Sequence, residues 1–281
     1  MNWRRVLRAD LAALLLAAAA GCTISAPPAE STLSPPGAGA PAAADGDAEL
    51  DARTRQALEL VAKSPDGASA LVAASESLFL AADLRLQRAT VAWLRAHPDA
   101  ARADVLTADD QLADDVRTAI ASLCTRGLEL ADRAAAKEPK DVRARLHQAL
   151  HVSLLAWANG PARSLFAGYG PKLVAAIDAA VALDPAHDGA APLRLSGRFR
   201  GKAPWPYGDL DAATKSLARA VELAPGIVNH LFYGDVLARR EQHAEAEAQW
   251  RAAVAAPSDA ATQWSGELLR ELARARLAAA R

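Results

Sequence analysis

His147 and His151, four residues apart, are the first side chains whose type and spacing fit a known chemistry. On a helix they share one face, as do the two histidines that hold zinc in metal-dependent hydrolases. That chemistry also takes a glutamate beside the first histidine to activate the metal-bound water. Gln148 stands there, and no third ligand is near in sequence, so the pair reads as structural. Gly197-Arg198-Phe199-Arg200-Gly201-Lys202-Ala203 approaches a phosphate loop. Its glycine spacing is one residue short, Ala203 replaces the magnesium-binding hydroxyl, and no strand pattern precedes it. Gly168-Tyr169-Gly170-Pro171 lacks the rest of a dinucleotide fingerprint and reads as a loop, with Pro171 opening the next helix. Asp109-Asp110 and Asp114-Asp115 are paired carboxylates of the kind that favour a helix start and face solvent. No serine sits in a Gly-x-Ser-x-Gly elbow. The expectation is a protein that is not an enzyme, with no catalytic residue, cofactor or metal site.

A second group is chemically suited to binding rather than turnover. Trp157, Tyr169, Arg194, Arg198, Trp205 and Tyr207 lie in or beside two unusually long loops, in a chain only 5% aromatic. Aromatic and arginine side chains line ligand clefts and anchor interfaces. The competing reading is that these rings fill gaps between alanine-rich helices.

The elements that position these residues are helical. The chain is 52% hydrophobic and 23% charged, which excludes a disordered or fibrous protein. Alanine supplies much of the apolar share, and it is the strongest helix former. Runs with the period-two alternation of strands are missing. Self-alignment then finds one helix three times: Leu173, Ile177, Ala180, Val181 and Pro185; Ala213, Leu217, Ala220, Val221 and Pro225; Ala246, Trp250, Ala253, Val254 and Pro257. A weaker copy ends at Ala134 and Pro139. Steps of three and four put the apolar residues on one face, and the prolines end each helix. Gly234 before the last copy, and Gly197 before the second, complete a pattern that resembles the tetratricopeptide consensus. Gly197 lies four residues too far from Ala213, an excess explained by the inserted stretch 201–209. The expected fold is all-α, a tetratricopeptide-like array of antiparallel helix pairs (an α-solenoid) with roughly ten to twelve helices. Asp104 and Thr107 are candidate caps for a helix entered at Leu112. Trp264 to Arg281 reads as a terminal capping helix whose outer face carries Glu267, Arg270, Glu271, Arg274 and Arg276.

The N-terminus reads as an address. Arg4, Arg5 and Arg8 precede an apolar run from Leu11 to Ala20, followed by Gly21-Cys22. This is the charged, apolar and small-residue order of a secretory signal, too short for a permanent bilayer span of about 20 residues. Ala19-Ala20-Gly21-Cys22 resembles the bacterial lipobox, which makes Cys22 the expected lipid anchor, and Thr23 after it implies the outer membrane facing the periplasm. The organisation is then a lipoprotein signal over 1–21, a Pro/Gly/Ala-rich tether over 22–47 and a helical-repeat domain over 48–281. With Cys22 lipidated, Cys124 has no intramolecular partner and reads as a small buried hydrophobe. The formal charge of −1 lacks the footprint of a nucleic-acid binder.

The stretch Tyr169 to Pro257 resembles the TatT family, tetratricopeptide lipoproteins associated with tripartite ATP-independent periplasmic (TRAP) transporters. The residues that carry the resemblance are the Ala-Val-x-Leu-x-Pro ending at Pro185, Leu193-Arg194-Leu195-Ser196-Gly197, and the Pro-x-Pro-x-Gly-Asp loop from Pro204 to Asp209. The resemblance implies a helical domain with a cleft or pore, a homo-oligomer such as a trimer, a periplasmic solute-binding protein as partner and a small hydrophobic ligand. The expected function is a membrane-anchored binding or scaffold component serving such a transporter. The alternative is an envelope-assembly adaptor that mediates protein contacts alone.

Overall fold

A computed structural model describes residues 43–204, 206–259 and 262–280. All regular structure among them is helical. The helices are α1 (Ala43–Lys63), α2 (Ala68–Ala96), α3 (Arg102–Leu106), a 3-10 turn (Ala108–Gln111), α4 (Asp114–Lys137), α5 (Val142–Phe166), α6 (Tyr169–Leu183), α7 (His187–Lys202), α8 (Leu210–Leu223), α9 (Ile227–Arg239), α10 (His243–Ala255) and α11 (Gly266–Ala278). The expected all-α architecture of adjacent helix pairs is present. The signal segment, the lipobox with Cys22 and most of the tether lie outside the described residues. α1 begins at Ala43, within the stretch read from the sequence as the end of the tether. No described helix is long and apolar enough to cross a membrane.

The repeated stripe does what its spacing requires. Leu173, Ile177 and Ala180 of α6, Ala213, Leu217 and Ala220 of α8, and Ala246, Trp250 and Ala253 of α10 are all buried. Pro139, Pro185, Pro225 and Pro257 each follow the C-cap residue of α4, α6, α8 and α10. A proline cannot donate the next helical hydrogen bond, so each stripe stops where the sequence says it does. The paired glycines explain the close approach within a pair. A Cβ at Gly197 would meet Leu217 and the Ala213 carbonyl; a Cβ at Gly234 would meet Trp250 and the Ala246 carbonyl. The two repeats therefore share one contact geometry despite their different loop lengths. The extra residues lie between α7 and α8, and Asp209 caps α8 through its bond from the Ala212 amide.

The inner helices do more than stack. α2 touches α5, α5 touches α7, α7 touches α9, α9 touches α11, and α11 returns to α2. The array is thus closed into a ring, with α4, α6, α8 and α10 packed outside it. α11 seals the seam: Leu268 and Trp264 pack on Leu50, Leu80, Ala81 and Leu84, Arg53 lies over the Trp264 ring, and Arg95 forms a two-pronged ion pair with Glu271.

Two cap assignments are corrected. Asp104 lies inside α3, and Thr107 ends it; α4 starts at Asp114 with Ala113 as its cap. Asp114 and Asp115 occupy the first turn of α4 as expected. Asp109 and Asp110 depart from the expectation of a solvated face, Asp109 being fully buried and Asp110 half-buried.

Candidate functional site

The ring encloses a column of polar side chains. Glu76, Asp83, Gln87 and Thr90 of α2 follow steps of seven, four and three, which place them on one face, and all four are buried. Arg194, Arg198 and Lys202 form a matching basic stripe at four-residue steps on α7 and are also buried. α9 contributes Asn229 and Asp235, α11 contributes Arg276, and the 3-10 turn contributes Asp109. Burying charge without a partner is costly, and the bonds in the column follow that constraint.

At one end Arg143 grips Glu76 with two bonds of 2.7 Å, and His147 Nε2 lies 3.7 Å from the same carboxylate. Burial pushes the Glu76 carboxyl up, against the pull of Arg143. His151 Nε2 lies 3.0 Å from Ser75 Oγ, which donates to the Gly127 carbonyl. Phe79 meets both imidazoles edge-on. Burial drives both histidines toward the neutral form, His147 well below the usual imidazole range and His151 to about 4. Both histidines are buried in the core. Among the described residues no three His, Cys, Asp or Glu side chains are grouped to hold a metal ion.

Deeper in the ring, Asp83 receives a short bond from the Gln87 amide, and burial raises its carboxyl to about 8. Arg194 donates to the Gly189 carbonyl at 2.9 Å and to Asn229 Oδ1 at 3.0 Å. The Gly189 carbonyl is presented by an unusual turn, in which Asp188, Gly189 and Ala190 are all left-handed, with φ of 48°, 63° and 63°. Left-handed backbone at Asp188 and Ala190 costs on the order of 1 kcal/mol each, and Arg194 and Asn229 hold it in place.

One turn further, Asp235 accepts from Arg198 at 2.9 Å, from Arg276 at 2.6 and 3.1 Å, and from Trp250 Nε1 at 3.1 Å. Burial alone would raise the Asp235 carboxyl, but Arg276 and Arg198 outweigh it and hold it below the usual range. The placement of Arg276 on an outer polar face is therefore corrected: it turns inward and ties α11 to α9. At the far end Lys202 Nζ lies 3.2 Å from Asp109 Oδ2. Burial, with Arg198 nearby, lowers the Lys202 ammonium to about 8; burial and the adjacent Asp109 raise Asp110 to about 7.

The ring's first end opens into a vestibule of about 190 Å³. Its walls include Arg194, Asn229 and Thr262, all buried, the 188–189 turn, the start of α9, and the exposed Asp259.

The sequence-predicted cluster is divided by this geometry. Trp157 is fully buried in α5 beneath the Arg117 guanidinium, 4.6 Å from its ring centre. Arg194 and Arg198 lie inside the ring. Tyr169 and Tyr207 are half-buried, and the two loops do meet, because the Tyr207 ring rests against Gly170 and lies 5.9 Å from Phe199. Trp205 lies outside the described residues. Lys202, Asp109, Asn229, Asp235, Arg276 and the acidic face of α2 were not singled out as binding residues by the sequence. The signal for them was present as polar residues at helical spacing within otherwise apolar helices. In comparisons with known proteins, no family model and no curated protein matches the sequence.

Proposed function

We propose that the chain is a membrane-anchored lipoprotein of the periplasm, held through Cys22 at the outer membrane, whose helical ring is a binding or scaffold component accessory to a TRAP-type solute transporter. The observation that carries the binding role is the vestibule, where Arg194 and Asn229 form a polar base at the mouth of an otherwise closed ring. Largely preformed concave sites with a few convergent polar groups are the usual form of a small-molecule site. Ala224, Pro225, Ile227 and Val228 also line the vestibule, so it suits a small ligand with both polar and apolar parts. The N-terminal order of Arg4, Arg5, Arg8, an apolar run and Gly21-Cys22 supports the anchor, and the Tyr169 to Pro257 resemblance supports the transporter link.

Expression of the full chain in a bacterium that carries a TRAP transporter tests both parts. Cys22→Ala should move the protein from the membrane to the soluble fraction and abolish palmitate labelling. Wild-type protein should co-purify with the transporter's solute-binding protein, and Asp259→Arg at the exposed rim should reduce that recovery at least 10-fold with helicity unchanged. Membrane retention of Cys22→Ala refutes the anchor. Failure to recover the solute-binding protein, or recovery indifferent to Asp259→Arg, refutes the transporter role.

A further inference from the structure

We infer that residues 97–113 form a hinged plug that closes the second mouth of the ring and opens without unfolding the rest of the molecule. This segment joins α2 to α4, where neighbouring pairs are joined by far shorter turns such as 240–242. It mixes apolar and polar residues in similar number, and it reaches the ring through a few of them. Val105 and Ala108 belong to a buried cluster shared with α2, α9 and α11, Ala100 and Leu106 pack against it, and Leu112 joins the core around α5. Asp109 enters the column itself and pairs with Lys202 at 3.2 Å, both side chains being at most 4% exposed. Arg102 lies over the Trp250 ring at 5.7 Å. The segment is clamped from outside by one side chain: Arg117 of α4 donates to the carbonyls of Asp110 at 2.8 Å and Leu112 at 3.1 Å, and to Trp157 O at 3.3 Å.

Two features make opening easier here than elsewhere. Its buried apolar anchors are Val105, Ala108 and Leu112, with Ala100 and Leu106 only half-buried beside them, less burial than the long inner helices have, and local opening draws on the less buried segments of a fold. On its outer side the segment borders a groove of about 540 Å³ toward α11, lined by Ala100, Val105, Ala275 and Ala278 among others, so it faces open space there rather than packed core. Lifting the plug withdraws the Asp109 carboxylate and leaves Lys202, with Arg198 one turn behind it, facing the mouth. The second entrance then presents the Lys202 ammonium, whereas the vestibule at the first mouth sets Asp188 and Asp259 beside Arg194. This inference stands independently of what occupies the vestibule or of any transporter partner.

Hydrogen–deuterium exchange and lysine acylation on the full chain test it. Amides of 103–112 should exchange at least 10-fold faster than those of α5 and α7, with a weaker dependence on denaturant. A succinimidyl ester should acylate Lys202 at the rate of that local opening. Arg117→Gln should accelerate both readouts at least 10-fold while α7 amides stay protected. Arg117→Lys, which keeps the charge and loses the forked donors, should give an intermediate rate. Exchange of 103–112 at the same rate and denaturant dependence as α7 would overturn the plug, as would Lys202 acylation that follows global unfolding in wild type and variants alike.

Discussion

Asp83 is the residue whose chemistry is least at ease with its surroundings. Its carboxyl is fully buried, bonded to Gln87, and held protonated to about 8, against 3.8 for a free side chain. The unfolded chain releases that proton near pH 4, whereas the folded chain keeps it until about 8. The contribution of Asp83 to stability is thus fully present below pH 4 and is lost as pH rises toward 8. His151 works in the opposite sense. Its folded value near 4 lies below the free 6.5, so stability falls as pH drops from about 6.5 to about 4, where the unfolded chain binds a proton the folded chain refuses. Asp83→Asn, which keeps the shape and removes the titration, should raise stability at pH 8 by about 1–3 kcal/mol and leave it unchanged near pH 4. Thermal melts of variant and wild type across pH 4–8 check this; a constant difference at every pH would show that burial of Asp83 is not the cause.

At the scale of the element, the decisive contacts are those of small residues. A Cβ at Gly234 presses into Trp250 and the Ala246 carbonyl, and one at Gly197 presses into Leu217 and the Ala213 carbonyl. Overpacking of this kind costs about 1–3 kcal/mol, so Gly234→Ala and Gly197→Ala should each lower the denaturation midpoint by a similar amount. A neutral result at either site would mean that the two pairs are not packed alike. The stripe, the prolines and these glycines were legible in the sequence because each acts within one helix pair, over distances the chain spells out directly. The column was not legible in the same way. Arg194, Arg198 and Lys202 share a helical face, but their partners Asn229, Asp235 and Asp109 come from two other elements, α9 and the 3-10 turn, and Arg276 looks like one more surface arginine beside Arg270 and Arg274. Which side of α11 faces inward depends on ring closure, and no local periodicity encodes that. Trp157 shows the converse: its nearness to a loop suggested a site, and its burial under Arg117 gives it a packing role.

The whole molecule depends on how the last helix is held. Arg276 bonds Asp235 through two nitrogens, and Asp235 in turn holds Arg198, so one carboxylate joins α7, α9 and α11. Removing one partner of such a buried group costs about 3–5 kcal/mol. Arg276→Leu should therefore release α11 first, and exchange of its amides should rise far above those of α7. Wild type should unfold in a single transition and the variant in two; one unchanged transition in the variant would mean that the seam at Leu268 and Arg95 suffices to close the ring. An open stack of repeats tolerates a change of length, because each unit needs only its neighbours. In this chain the first inner helix is also a neighbour of the last, so inserting one more pair would widen the circumference and draw α11 away from α2. The number of repeats is accordingly set by geometry, like the number of staves in a barrel, and a chain one pair longer or shorter would have to give up either its closed seam or the charged column at its centre.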